Sequence, residues 1–235
     1  MKDNISFKTF FIISNEKLEI AVYDFLKKKT LYKKELYIKD TSNDIKLPLI
    51  QNFLDNHIYE IEKMLNNFIN NIYLIIENKD FFSVKVSLKK NNYGDLIDYE
   101  KINHLVFEAK NQCKKTINDR KIVHIIIDNY LIDKKNFLYL PNDVKCDFFS
   151  LDLNIICLSN RFIKNLEDIF RKYQISIAKI LSYHYLNNFK ELQGKYDIFD
   201  TAEDILNGSN KNEVLITNKS SKNKGFFEKF FFFFN

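Results

Sequence analysis

The stretch between residues 121 and 183 constrains the fold of this chain more than any other part of it. It begins with KIVHIIIDNYLID, an apolar run rich in β-branched residues and short enough for a buried strand. A second strand is predicted over 147–158, Asn160 is a suitable N-cap for a helix, and a third strand is predicted over 175–181. Strand, strand, helix and strand in so short a segment predict a compact α+β unit. The alternation in the second strand places five side chains on one face: Phe149, Leu151, Leu153, Ile155 and Cys157.

Further strands and helices are predicted before this stretch. Three strands are expected over 7–13, around Ile20 and over 31–38. After Pro48, apolar residues recur at spacings of three and four as far as Ile72, which predicts one long helix packed against the core. The remaining predictions are a strand over 73–77, a strand with one exposed face over 82–89, and a helix capped by Asp98.

The composition limits the kind of protein and the compartment. At 235 residues the chain has room for one large domain or two small ones. Its net charge of +5 is spread along the sequence. Nucleic-acid binding requires a concentrated basic face with interleaved aromatic residues, so we do not expect nucleic acid as a partner. The N-terminus lacks the apolar core of a signal peptide, and no uncharged run is long enough to cross a bilayer. Cys113, Cys146 and Cys157 form no CxxC pair and suit small buried residues in a reducing cytoplasm.

The sequence signatures of common catalytic sites do not occur in these residues. There is no P-loop, no GxSxG and no Gly-rich dinucleotide pattern, and the histidines are scattered. His124 and His184 border apolar strands, and we expect both to be packed, hydrogen-bonded residues rather than ligands. We therefore predict no catalytic residue, no cofactor and no metal site, and we expect that the protein is not an enzyme.

An ordered set of residues in the second half resembles the insert domain of the bacterial cell-division protein FtsA. In that family, a small strand–helix–strand–strand domain interrupts an actin-like core. The matching features are His124 in an apolar strand, Tyr130 followed by Asp133, Pro141, the 147–158 strand, and Asn165-Leu166 leading to Ile175.

The resemblance implies a domain organisation as well as an α+β fold. A partial actin-type core would comprise 1–80 and 176–206, and the inserted α+β domain would comprise 81–175. A flexible linker is expected over 207–224, followed by an amphipathic, Phe-rich tail over 225–235.

The first predicted turn departs from the pattern of actin-like ATPases. Those proteins have a Gly-containing loop there, because bare backbone must approach the phosphates of the nucleotide. Here the turn is Ser14-Asn15-Glu16-Lys17, with neither Gly nor Thr, and Glu16 would lie where a phosphate has to bind. We therefore expect this turn to be disabled for nucleotide binding.

By resemblance, the protein is expected to be a cell-division adaptor without ATPase activity. In FtsA, the insert domain receives cytoplasmic tails of membrane-anchored division proteins and takes part in self-association, so divisome membrane proteins or a second copy are the expected partners. The family binds the tubulin-like FtsZ through a half that has no counterpart in these 235 residues, so the resemblance gives no support for FtsZ as a partner. The alternatives are a PilM-like pilus-assembly adaptor and an actin-like ATP-binding protein.

The last segment, KNKGFFEKFFFFFN, has the composition of an interfacial membrane anchor. It is too short to cross a bilayer, but its phenylalanines suit the membrane interface and its lysines suit anionic headgroups. FtsA proteins also end in a short membrane-targeting helix, which predicts a peripheral position on the cytoplasmic side of a bacterial cell membrane. Two alternatives are a tail folded back into a groove of the core and a repetitive codon tract lengthened by chance. The predicted membrane-binding residues are Lys222, Lys224, Phe226, Phe227, Lys229, Phe230, Phe231, Phe233 and Phe234.

Overall fold

The computed structural model describes residues 7–39, 46–194 and 197–214. These residues form two compact units, and the mixture of sheets and helices confirms the α+β fold class. In chain order, the elements are β1 (Phe7–Ile13), β2 (Lys17–Asp24), β3 (Lys29–Tyr37), α1 (Leu47–Leu65), β4 (Asn71–Ile76), β5 (Phe82–Asn91), α2 (Tyr99–Thr116), β6 (Arg120–Ile132), β7 (Lys135–Phe137), β8 (Phe148–Ser159), α3 (Asn160–Arg171), β9 (Ser176–Ser182), α4 (Tyr183–Leu192) and α5 (Ile198–Leu206).

The first unit is built on a five-stranded sheet with the order β3-β2-β1-β4-β9. It comprises the described residues within Met1–Phe82, Asp119–Lys121 and Leu158–Ser209. The pairs β1–β2 and β2–β3 are antiparallel, whereas β1–β4 and β4–β9 are parallel. The three strands predicted at the start of the chain are confirmed as β1, β2 and β3.

The core of the first unit depends on two adjacent phenylalanines in β1. Because neighbouring residues of a strand point to opposite faces, Phe10 and Phe11 serve different halves of the core, and both are fully buried. The ring of Phe11 lies 5.9 Å from Phe53 of α1 and 6.0 Å from Phe170 of α3. The ring of Phe10 lies 5.3 Å from Phe199 of α5. Helices therefore cover both faces of this sheet.

Helix α1 ends earlier than its apolar spacing predicts. Pro48 lies in its first turn, where a missing N–H group costs nothing. At the other end, Asn66 adopts the left-handed conformation with a φ of 48°, and its N–H group donates to the carbonyls of Glu62 and Lys63. The prediction of one helix reaching Ile72 is wrong, because this C-cap turns the chain and Ile72 enters β4.

The second unit is a four-stranded sheet with the order β5-β8-β6-β7, packed against α2. It comprises the described residues within Ser83–Asn118, Ile122–Cys157 and Asn210–Asn235. Asp98 caps α2 as predicted, accepting the N–H group of Lys101 at 2.8 Å. The predicted inward row of β8 is also confirmed: Phe149, Leu151, Leu153, Ile155 and Cys157 all belong to the core cluster that includes α2.

Hydrogen bonds at the strand ends define the direction of the neighbouring strands in this sheet. Asp133 N–H donates to Phe148 O at 3.2 Å, and Asn160 N–H donates to Asp119 O at 2.9 Å, so β6 and β8 run antiparallel. Cys113, Cys146 and Cys157 are all buried, as the sequence predicts, and none of the three forms a disulfide.

The predicted domain boundaries need two corrections. The first unit includes 158–209, so the boundary expected at residue 175 lies at 157/158 instead. The stretch 121–183 is therefore not a single compact unit, since β6 and β8 belong to one sheet and β9 to the other. Residues 210–214 lie in the second unit and bond to β6, so they are not part of a flexible linker.

A smaller correction concerns the cap of α3. The N-cap is Ser159 rather than Asn160, because the Ser159 hydroxyl accepts the N–H group of Phe162 at 3.4 Å. Asn160 is the first residue of the helix itself.

Replacing Phe11 by Ala is expected to lower the free energy of unfolding by about 3–5 kcal/mol, because it leaves a cavity between α1 and α3. The measurement is urea denaturation followed by circular dichroism. Leu192→Ala is the control, because Leu192 is 83% exposed and its loss is expected to change stability by less than about 0.5 kcal/mol. Equal effects of the two substitutions would contradict this description of the core.

Candidate functional site

The turn between β1 and β2 is closed by its own hydrogen bonds. Ser14 N–H donates to Lys17 O at 3.0 Å, and the Ser14 hydroxyl accepts the N–H groups of Lys17 at 2.9 Å and Glu16 at 3.3 Å. The turn lies at the carboxyl end of β1, which is parallel to β4, and such sheet edges commonly bind ligands. Because these three N–H groups are already engaged, the turn does not offer them to a phosphate.

The lysine of this turn is held by carboxylates. Lys17 Nζ lies 2.6 Å from Glu19 Oε2 and 3.2 Å from Glu35 Oε1. Lys33 Nζ completes the network at 3.2 Å from Glu19 Oε1 and 3.0 Å from Glu35 Oε1. Two lysines thus face two glutamates, and Glu16 adds an exposed carboxylate to the turn. This electrostatic environment is unfavourable for an anionic ligand.

The network also changes the acidity of Glu35. Hydrogen bonds from Lys33 and then from Lys17 lower the pKa of the Glu35 carboxyl group from 4.5 to about 2. The carboxylate form therefore remains paired with both lysines throughout the neutral and mildly acidic range.

The two histidines singled out from the sequence have different environments. His124 is fully buried, and its Nδ1 lies 2.7 Å from Oε1 of Glu213, which agrees with the prediction of a packed, hydrogen-bonded residue. For His184 the prediction of a packed residue is wrong, because its side chain is 69% exposed and its Nε2 lies 3.8 Å from Oε1 of Glu77. The reason is its place at the start of α4, one residue after the helix begins.

One edge of the sheet in the second unit is covered by two short segments. Strand β7 pairs with Tyr130–Ile132. Further along β6, Ile127 N–H donates to Asn212 O at 2.8 Å and Val214 N–H donates to Ile125 O at 2.9 Å, which adds residues 212–214 as an antiparallel bridge. Glu213 is fixed there by the buried His124.

The opposite edge of the same sheet is formed by the ten residues of β5. Among the described residues, no strand pairs with its outer side. Val84, Val86 and Leu88 pack against the core cluster but remain half-buried. The exposed residues between them form the outer row of β5: Ser83, Lys85, Ser87 and Lys89.

The outer row of β5 is dominated by its two lysines. Lys89 Nζ lies 3.9 Å from the centre of the Phe148 ring, and the Ser87 hydroxyl donates to Asp152 Oδ1 at 2.6 Å. Lys85 is close enough to Asp128 to act on its titration, although burial has the larger effect and raises the pKa of the Asp128 carboxyl group. Lysines are a common device for keeping an open strand edge from aggregating. This edge is the candidate interaction site.

The sequence predicted the β5 strand but not its position at an edge. The alternation of Val84, Val86 and Leu88 with serine and lysine indicates one exposed face and carries no information about neighbouring strands. A row of lysines on an alternating strand was the available signal, since edge strands are enriched in lysine. The predicted membrane-binding residues, from Lys222 to Phe234, lie outside the described residues.

Comparison with known sequences gives a distant match. No protein-family model matches the chain. Among curated proteins, the chain is similar to the protein Ycf2 of Physcomitrium patens, with 27% identity over 223 residues. The match covers 90% of this chain and 9% of Ycf2, so the chain spans less than a tenth of the length of that relative. Identity at this level does not place the chain in a family.

Two solved structures are similar to part of the fold. One is a PilM-PilN type IV pilus biogenesis complex, with a TM-score of 0.43 and 8% identity, covering 76% of this chain and 48% of that chain. The other is a Bacteroides thetaiotaomicron protein with an actin-like ATPase fold and unknown function, with a TM-score of 0.31 and 15% identity, covering 81% and 59% of the two chains. An actin-like fold thus occurs among the similar structures, with nothing specific to FtsA. TM-scores this low carry no statement about activity or partners.

No helix in the described ranges combines the length and the apolar character needed to span a membrane.

The Lys33→Met substitution is expected to raise the pKa of Glu35 toward its ordinary value of 4.5, because it removes the strongest hydrogen bond to that carboxylate. In the unsubstituted protein, the stabilisation from Glu35 is fully present above pH 4.5 and is lost as the pH falls toward 2. The measurement is an NMR titration of the Glu35 carboxyl carbon. Lys29→Met, at an exposed position of the same strand, is the control and is expected to leave the Glu35 pKa in place.

Proposed function

We propose that this protein is a cell-division adaptor of the FtsA-like type, which binds membrane-anchored partner proteins through its second unit and lies on the inner face of the cytoplasmic membrane. In this proposal the protein has no ATPase activity. It acts by holding partners at a lipid surface.

The observation that carries the proposal is the asymmetry of the sheet in the second unit. One edge is covered by β7 and by residues 212–214, whereas the edge formed by β5 has no partner strand among the described residues. Adding an extended peptide to such an edge is a common mode of protein recognition, because the main chain supplies the hydrogen bonds. A rigid sheet that leaves one edge open is suited to an adaptor.

The turn at Ser14–Lys17 supports the part of the proposal that concerns nucleotide. Its N–H groups bond within the turn, and Lys17 is paired with Glu19 and Glu35. An ATPase of the actin-like type requires a loop that presents free backbone to the phosphates. Saturable binding of ATP in a calorimetric titration would overturn this part of the proposal and favour the actin-like ATP-binding alternative.

The composition of the tail supports membrane attachment. Full burial of one phenylalanine contributes roughly 1.5–3 kcal/mol, and interfacial burial contributes less. Each lysine near an anionic leaflet adds about 1 kcal/mol. The entropic cost of ordering the tail offsets part of this favourable binding free energy, so a single copy is expected to bind the membrane reversibly. Self-association would strengthen membrane attachment through multivalency.

A fluorescent fusion is expected to lie at the membrane, with a band at mid-cell, and to become diffuse when residues 225–235 are removed. The reason is that the deletion removes the apolar side chains that enter the interface. Glu228→Gln is the matched control, because it keeps every phenylalanine and removes the negative charge of Glu228, so membrane localisation is expected to persist. An unchanged distribution of the fusion protein after the deletion would contradict the proposed attachment to the membrane through residues 225–235.

A PilM-like pilus-assembly adaptor is the second candidate and would use the same open edge for a peptide of a membrane protein. The two candidates differ in the phenotype of a deletion strain. Loss of division favours the FtsA-like adaptor, whereas loss of pili with normal division favours the PilM-like one.

A further inference from the structure

We propose that the β5 edge binds an extended acidic segment of a partner protein as an added strand, with carboxylates facing Lys85 and Lys89 and apolar side chains continuing the row of Val84, Val86 and Leu88. The inference deepens the proposed adaptor function and rests on it for the biological role of the partner. It names the chemical class of that partner.

The register of β5 determines which backbone groups are available. Asn92 N–H donates to Asp147 O at 2.7 Å, and the Ser87 hydroxyl donates to Asp152 Oδ1, so β5 and β8 run antiparallel. In such a pair, the backbone groups of alternate residues point to the same side. Because Asn92 bonds toward β8, the N–H and C=O groups of Lys85, Ser87 and Lys89 are expected to point toward the open side.

The two faces of β5 specify different side chains in the added strand. On the outer face, Lys85 and Lys89 are four residues apart, roughly 13 Å along a strand. Among the described residues, neither ammonium group has a carboxylate within salt-bridge distance. An added strand would therefore place acidic residues at positions i and i+4, with a small polar residue opposite Ser87.

The inner face specifies apolar residues at the alternate positions. Val84, Val86 and Leu88 pack against the core cluster and remain half-buried, so their outward-facing apolar surface is still accessible to water. Apolar side chains from the added strand would cover this surface and extend the core by one strand.

The charge of the edge disfavours two other occupants. A second copy pairing through its own β5 would set the lysines of one copy against those of the other, which is destabilising. The chain's own segment 215–235 contains four lysines and one glutamate, so its charge does not complement the edge.

The test uses the full chain and two synthetic peptides of alternating sequence. One is Glu-Val-Ser-Val-Glu-Val, and the other has lysine in place of both glutamates. The acidic peptide is expected to bind in a fluorescence anisotropy titration and to slow hydrogen exchange of the β5 amides, with binding at least about tenfold tighter than that of the basic peptide and weakened by salt.

Three variants make the test specific. Lys85→Glu combined with Lys89→Glu is expected to weaken the acidic peptide about tenfold, because two attractions become repulsions. Ser87→Pro, which removes an N–H group from the open side, is expected to weaken both peptides without changing the charge. Lys114→Glu combined with Lys115→Glu, at the exposed end of α2, changes the net charge by the same amount as the first variant and is expected to leave binding unchanged.

The proposal is overturned by equal binding of the two peptides, by binding that the charge reversal at β5 does not change, or by unprotected β5 amides. It is also overturned if the unsubstituted chain forms dimers that Ser87→Pro abolishes, because the occupant is then a second copy. These outcomes are independent of the localisation experiment, so a peptide that fails to bind leaves the adaptor proposal standing with a different partner class.

Discussion

The backbone groups at a sheet edge must find hydrogen-bond partners, and this requirement organises the second unit. Among the described residues, one edge of its sheet pairs with further segments of the chain, whereas the other edge, formed by β5, does not. Strand β7 and residues 212–214 satisfy the groups of β6, and a buried contact between His124 and Glu213 fixes the second of these segments. The β5 edge is instead protected by lysine side chains, which discourage indiscriminate pairing while leaving the backbone accessible. An edge of this kind suits the selective strand pairing that we propose for β5.

The first unit is stabilised mainly by helices that pack on both faces of its sheet. Phe10 and Phe11 divide the core between two faces, and each ring contacts at least one helix. Charged groups of this unit also form ion pairs with one another. Glu19 has a side chain that is only 3% exposed, and lysines from two strands compensate it. Removing either lysine would leave part of this buried charge uncompensated, and the carboxylates make the neighbouring turn unfavourable for an anion.

Local patterns in the sequence predicted many of the strands and helices, and long-range contacts account for two of the three failures described next. Strands β1 to β3 and β8 were predictable because alternation is encoded residue by residue, as was the capping of α2 by Asp98. The end of α1 was missed because Ile72 keeps the helical spacing after the chain has already turned at Asn66. The unit boundary was missed because α3 packs through Phe170 against Phe11, a contact between residues far apart in the sequence. The candidate site was missed for a similar reason, since only the order of the strands makes β5 an edge.

The short pairing of residues 212–214 with β6 has a mechanical consequence for the chain that follows it. Tension applied beyond Val214 reaches the hydrogen bond between Val214 and Ile125 first, then the contact between Glu213 and His124, and then the bond between Asn212 and Ile127. The load is thus borne by the second unit before it reaches α5 and the first unit. A pull on the residues that follow Val214 would therefore have to break this small set of contacts before it acted on α5.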